Sequence, residues 1–208
     1  MHSLSNLFNQ LRDVSTLVQT AGYAGLTAIV FAETGLLIGF FLPGDSVLVT
    51  AGLLGSQGVV GLNIYWLGII LTAAAIVGDT VGYSIGKASG PKLFTREDSL
   101  LFNKKHLIRA HTFYERHGGK TIVIARFMPI LRTFAPVVAG IGGMQYKRFV
   151  AYNIAGGVLW VWSMLLMGYF LGQYVPGIGK HIDVVVLVII FLSVLPAFIG
   201  RFTSETQS

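Results

Sequence analysis

Residues 22–62 read GYAGLTAIVFAETGLLIGFFLPGDSVLVTAGLLGSQGVVGL, 41 residues whose only charges are Glu33 and Asp45. A helix crosses about 30 Å of hydrocarbon with roughly 20 residues, so a stretch twice that long has to turn. The turn falls at Phe41-Leu42-Pro43-Gly44-Asp45, with Pro43 and Gly44 as the break, and Gly52, Gly55 and Gly58 punctuate the second half of the stretch. The expected arrangement is one span near 16–33 and then a broken, re-entrant hairpin near 34–60, each arm reaching about the mid-plane.

Beyond that hairpin, residues 64–86 form a second apolar stretch with a single acid, Asp79. Residues 121–146 form another broken one, carrying Arg126, Arg132, Pro129 and Pro136, with Pro129 and Pro136 as the expected breaks. Spans come next near 149–173 and 182–200. The predicted class is an all-α polytopic membrane protein with two re-entrant hairpins, about four full spans and amphipathic surface helices. Residues 1–208 form one membrane domain, divided into a first repeat (16–86), a surface segment (87–120), a second repeat (121–173) and a last span (182–200). The segment 87–120 carries eight Lys/Arg against three acids, and Leu100, Leu107 and Tyr114 recur at seven-residue spacing, which predicts an amphipathic helix on the membrane surface. The first 20 residues, with Leu4, Leu7, Phe8, Leu11 and Val18, read as another, not as a cleaved signal peptide.

Composition agrees. The chain is 53% hydrophobic and 12% charged, about half the charge of a soluble domain. Its net charge of +6 is a matter of topology. With four spans and two hairpins, twelve Lys/Arg fall on one face and Lys180 alone on the other, which places both termini in the cytoplasm and leaves no need for nucleic acid. The absence of cysteine excludes disulfides, Cys-ligated zinc and thiol chemistry.

Two short matches share one offset. Phe41-Leu42-Pro43 and Phe127-Met128-Pro129 lie 86 residues apart, as do Gly82-Tyr83-Ser84-Ile85-Gly86 and Gly168-Tyr169-Phe170-Leu171-Gly172. On the topology above the first hairpin opens outward and the second inward, an inverted repeat of the kind that places a transport site at the mid-plane. The Gly-rich faces suit either a homo-oligomer or packing within one chain.

Five charges lie where charge is costly, at roughly 2.5–3.5 kcal/mol each on insertion scales: Glu33, Asp45, Asp79, Arg126 and Arg132. On an unbroken helix Arg126 and Arg132 would stand about 120° apart, so the break at Pro129 is what lets both guanidinium groups converge on a phosphate. One reading is that these charges only pin the two hairpins together, although buried ion pairs are a poor route to stability. The functional reading is that Arg126 and Arg132 bind a phosphate while Glu33 and Asp45 exchange protons. Asp79 either joins them or is a satisfied helix residue that snorkels toward the cytoplasmic side.

Other chemistry fares worse. His106, His111 and His117 are spaced by five and six residues, unlike a helical metal pair, so no metal or cofactor is expected. Gly82-Tyr83-Ser84-Ile85-Gly86 spells Gly-x-Ser-x-Gly but closes an apolar helix instead of a strand-to-helix turn, and no enzyme activity is predicted. Trp160 and Trp162, mid-span, read as packing residues.

The segments Glu33-Thr34-Gly35, Phe41 to Ser46, Gly78-Asp79 with Gly82-Tyr83 and Gly86, and His117-Gly118 leading into Ala125-Arg126-Phe127-x-Pro129-x-x-Arg132-x-x-x-Pro136-x-x-Ala139-Gly140 resemble the DedA family of bacterial inner-membrane proteins. The resemblance covers about residues 20–175. It implies two re-entrant hairpins in inverted repeats, as in eukaryotic lipid scramblases of the same superfamily, and residence in the bacterial inner membrane. It also implies a role in returning undecaprenyl phosphate to the cytoplasmic leaflet or in moving phospholipids, and in envelope integrity, drug resistance and the proton motive force. The family's functional residues fall on Glu33, Asp45, Arg126 and Arg132. The expected function is proton-coupled translocation of a phosphate-headed lipid. Its rivals are a proton-coupled small-ion or metabolite transporter, a membrane scaffold with a structural charge cluster and, last, a membrane phosphatase or transferase.

Overall fold

A computed structural model describes residue 18 and residues 21–36, 44–58, 63–94 and 119–175. The expected last span at 182–200, most of the first 20 residues, Pro43 and most of the 87–120 segment lie outside the described residues. Among the described residues there are six helices and no strand: α1 (21–35), α2 (Gly44–Ser56), α3 (Ile64–Phe94), α4 (Lys120–Ala125), α5 (Pro129–Ile141) and α6 (Tyr146–Tyr174).

Two helices are long and apolar enough to cross a membrane, Ile64–Gly90 within α3 and all of α6. Their most apolar stretches are only 44% and 33% buried within the protein, so much of their hydrophobic surface needs lipid against it. Tyr65, Trp66, Ile69 and Val77 on α3 and Val158, Leu159, Met167 and Phe170 on α6 supply that surface. By contrast α2 and α5, at 13 residues each, are about 20 Å long and fall short of the roughly 30 Å hydrocarbon layer.

The chain forms two compact units. Among the described residues the first comprises residue 18 and residues 21–30, 44–58, 63–72 and 160–175. Its core includes α2, buried from Gly44 to Leu54, and Leu26, Leu67, Leu71 and Leu165 of the same unit are buried as well. α2 approaches α6 backbone to backbone: a Cβ on Gly168 would strike the Val49 carbonyl, and one on Gly52 the Leu165 carbonyl. Asn63 caps α3, its Oδ1 accepting from the Tyr65 amide at 2.9 Å while its own amide donates to the Tyr23 hydroxyl at 2.8 Å.

Among the described residues the second unit comprises 31–36, 73–94 and 119–159. Here α5 lies on the Gly82/Gly86 face of α3, where a Cβ on Gly86 would strike the Val137 carbonyl. The chain leaves α5 through Gly143 at φ 72°, with the Met144 amide donating to the Ala139 carbonyl at 3.0 Å and the Gly143 amide to Gly140 at 3.2 Å, a Schellman turn. Tyr83 fastens that turn. Its ring stacks on Phe149 at 4.4 Å and its hydroxyl donates to the Met144 carbonyl.

Three expectations change. Pro136 is not a break: it lies inside α5, which runs without interruption from Pro129 to Ile141. A proline removes one N–H and one intrahelical bond, and a helix packed among others absorbs that loss. α3 does not end at Gly86 but continues to Phe94, its face at Gly86 and Gly90 packed against α5 at Val137 and Ile141. Asp79 does not snorkel. It is 1% exposed.

Candidate functional site

The turn between α4 and α5 is the centre of the site. Met128 precedes Pro129 and so takes an extended conformation (φ −119°, ψ 109°), which stops α4 at Ala125 and lets Pro129 start α5 at its first turn. Arg126 is thereby set on the turn and Arg132 on the first part of α5. Both are buried, 1% and 2% exposed.

Each arginine meets a buried carboxylate within the second unit. Arg126 Nη2 pairs with Asp79 Oδ2 on α3, and Arg132 Nη2 with Glu33 Oε1 near the end of α1. Arg132 Nη1 also donates toward the Arg126 backbone carbonyl at 3.4 Å, which ties Arg132 to the turn that carries Arg126. Two positive and two negative side chains leave this group formally neutral. That balance is what allows it to sit out of water, since an isolated ion there would carry a desolvation cost of several kcal/mol.

Asn153 on α6, fully buried, is the fifth member. Its Oδ1 accepts a hydrogen bond from Arg126 Nη2, the nitrogen that holds Asp79, and its Nδ2 donates to the Ile76 carbonyl at 3.0 Å, one turn before Asp79 on α3. That second bond fixes which end of the amide faces the arginine. Space for the guanidinium comes from Gly156 and Gly157: a Cβ on Gly156 would lie 3.0 Å from Arg126 Cδ, and one on Gly157 3.6 Å from Nη2. The carboxylate-bearing helices meet through Gly35 and Gly78, where a Cβ on Gly35 would come within 3.0 Å of the Gly78 Cα.

Asp45 belongs to the first unit. It stands in the first turn of α2, beside Gly44, and accepts a hydrogen bond on Oδ1 from the indole N–H of Trp160 at 2.8 Å. Of the five charges singled out in the sequence, the structure thus brings together Glu33, Asp79, Arg126 and Arg132, and gives Asp45 an indole donor. Sequence reasoning missed Asn153 and read Trp160 as packing alone. The signal available for Asn153 was its amide in the middle of an apolar span, a group that has to find a partner.

Among the described residues no group of His, Cys, Asp or Glu has the arrangement to hold a metal ion. What the cluster offers chemically is two buried guanidinium groups whose N–H donors are held by carboxylates.

Comparison with known proteins gives the family. Residues 42–170 match the VTT domain. The chain is 48% identical over 177 residues to Protein DedA of Escherichia coli K12, covering 85% of this chain and 80% of that protein. It is 43% identical over 176 residues to an uncharacterized membrane protein of Mycobacterium tuberculosis H37Rv, covering 85% and 77%. With Inner membrane protein YghB of Escherichia coli K12 the identity is 36% over 174 residues, covering 84% and 77%. No solved structure matches the chain significantly. A VTT domain that spans most of the described core, and near 50% identity along 85% of the sequence, make this chain a membrane protein of the DedA family.

Proposed function

We propose that the protein is a proton-coupled translocase of a phosphate-headed lipid, undecaprenyl phosphate or a phospholipid, in the bacterial inner membrane. The observation that carries this reading is the buried, charge-balanced cluster at the Pro129 break, with Arg126 on Asp79 and Arg132 on Glu33. A purely structural role explains it poorly, because apolar residues of the same volume stabilise a core at least as well as an ion pair does. In the proposed cycle Arg126 and Arg132 take up the phosphate as their carboxylates are neutralised, and Glu33 and Asp45 carry protons. The lipid tail stays in the bilayer throughout, so the site opens laterally.

The short α2 and α5 support re-entrant hairpins. The Gly82/Gly86 contact with α5 and the Gly168/Gly172 contact with α2, at one 86-residue offset, support an inverted repeat whose rocking exposes the site to each leaflet in turn. The twelve-to-one charge count supports both termini in the cytoplasm, and the name of the relative YghB supports the inner membrane. In this reading the partners are anionic lipids and protons, with no cofactor and no chemical step, and a homo-oligomer is compatible with it.

One observation favours a second reading. Both arginines hold carboxylates, which is also what a structural cluster in a membrane scaffold would show. The decisive experiment reconstitutes the protein in liposomes carrying a phosphate-headed polyprenyl lipid labelled in one leaflet. Translocation that needs both Arg126 and an imposed pH gradient is the expected result. Dependence on Arg126 alone would mean a passive scramblase, and no translocation by the wild type would overturn the carrier reading.

A further inference from the structure

The two hydrogens of one nitrogen, Arg126 Nη2, are divided between a group that can change charge and a group that cannot. Asp79 Oδ2 takes one and Asn153 Oδ1 the other. Asn153 is itself held from behind by its bond to the Ile76 carbonyl, which also accepts from the Thr80 hydroxyl at 2.7 Å. Asp79 is differently placed: its second oxygen, Oδ1, is buried and has no hydrogen-bond partner among the described residues. A buried carboxylate oxygen with an open lone pair is a place for a proton, whereas an amide has none to accept at ordinary pH.

From this asymmetry the geometry points to Asp79 as the carboxylate that the phosphate replaces on Arg126, taking up one proton as it leaves, with Asn153 as the positioning residue that keeps the guanidinium aimed while it does so. The inference rests on the phosphate-translocase reading and adds a third proton carrier to it. The charges balance. The four-charge group is neutral as it stands; a proton on Asp79 and the proton that the proposed cycle places on Glu33 make it +2, and the two negative charges of the ionised phosphate monoester restore neutrality, so lipid and protons enter together without stranding a charge in hydrocarbon. The Asp79 proton comes from the aqueous side to which the site is open and resides on Oδ1. The charged groups facing Asp79 are Arg126 from the α4–α5 turn and Arg132 from α5, the latter held by Glu33 of α1. From α6 it faces the neutral Asn153, and Tyr83 lies one turn on along α3 itself.

The test is a calorimetric titration of the purified full chain with a short-chain polyprenyl phosphate, in two buffers of different ionisation enthalpy. Working above about pH 7.5 keeps the phosphate itself fully ionised, since its second pKa is near 6. Asp79→Asn is expected to bind the lipid in an Arg126-dependent way while taking up about one proton fewer per lipid than the wild type. An unchanged proton count would overturn the assignment and leave the translocase reading standing. Failure of the wild type to bind, or equal binding by Arg126→Ala, would overturn both. Asn153→Ala should weaken binding about tenfold, the loss of one charge-assisted hydrogen bond, at an unchanged proton count. A lost proton there would overturn the positioning role. Should Asp79→Asn not fold, Asp79→Glu keeps the charge. It should retain the uptake and move the protonated-carboxyl band that lipid induces in the infrared difference spectrum, and a band left unmoved would assign the proton elsewhere.

Discussion

Trp160 on α6 donates its indole N–H to the carboxylate of Asp45 on α2 at 2.8 Å, with the tryptophan fully buried and the acid 6% exposed. A buried carboxylate that loses a donor bears more of its desolvation cost. Trp160→Phe, which keeps the ring, is therefore expected to destabilise the protein by about 1–3 kcal/mol. Thermal unfolding in detergent would read this, against Trp162→Phe as the control for loss of an indole.

Arg126→Lys should abolish lipid translocation while the protein still folds. An ammonium supplies the charge that Asp79 requires but not the planar fork that keeps Asn153 while it exchanges Asp79 for an incoming phosphate. Liposome transport by this variant at the wild-type rate would remove Arg126 from the site.

The pair Arg132–Glu33 allows a reversal of sign. In the double variant Glu33→Arg with Arg132→Glu the charge count of the cluster is unchanged, so much of the stability lost by either single change should return. Transport should not return, because the phosphate would then meet a carboxylate on α5. A double variant that supports wild-type envelope function in cells would favour the scaffold reading.

Gly82 and Gly86 face the same helix and should respond differently to alanine. A Cβ on Gly82 would sit 3.5 Å from Pro136 Cβ, an ordinary contact, whereas on Gly86 it would run into the Val137 carbonyl, a backbone atom that cannot swing aside. Gly86→Ala is expected to cost about 1–3 kcal/mol as overpacking and Gly82→Ala a small fraction of that, measured as thermal stability of the purified variants.

Much of the site was legible because charge in an apolar chain is conspicuous. Glu33, Asp79, Arg126 and Arg132 stand out against their surroundings, and the proline between the arginines announces the break. Partner choice was not legible. Whether Arg126 meets Asp79 or another acid depends on the register of α5 against α3, which the close approach at Gly86 and Gly140 sets, and the glycines alone do not say which backbone each will meet. Pro136 misled for a related reason: the same residue type opens α5 at position 129 and lies harmlessly inside it at 136, and only the extended Met128 distinguishes them. Asn153 and Trp160 were hidden by their company, a few polar atoms amid apolar side chains.

The pairing also sets an order of assembly. Asp79 and Glu33 precede their arginines by 47 and 99 residues, so at roughly 5–20 residues per second a ribosome has placed both acids seconds before either partner exists. A nascent chain halted before residue 126 holds both carboxylates without their arginines, a state that an apolar environment penalises unless they are protonated. The arrival of the α4–α5 turn ends that state. Chains truncated there should be cleared by membrane proteases faster than chains that extend past Arg132, which makes that turn a checkpoint in biogenesis as well as a part of the finished site.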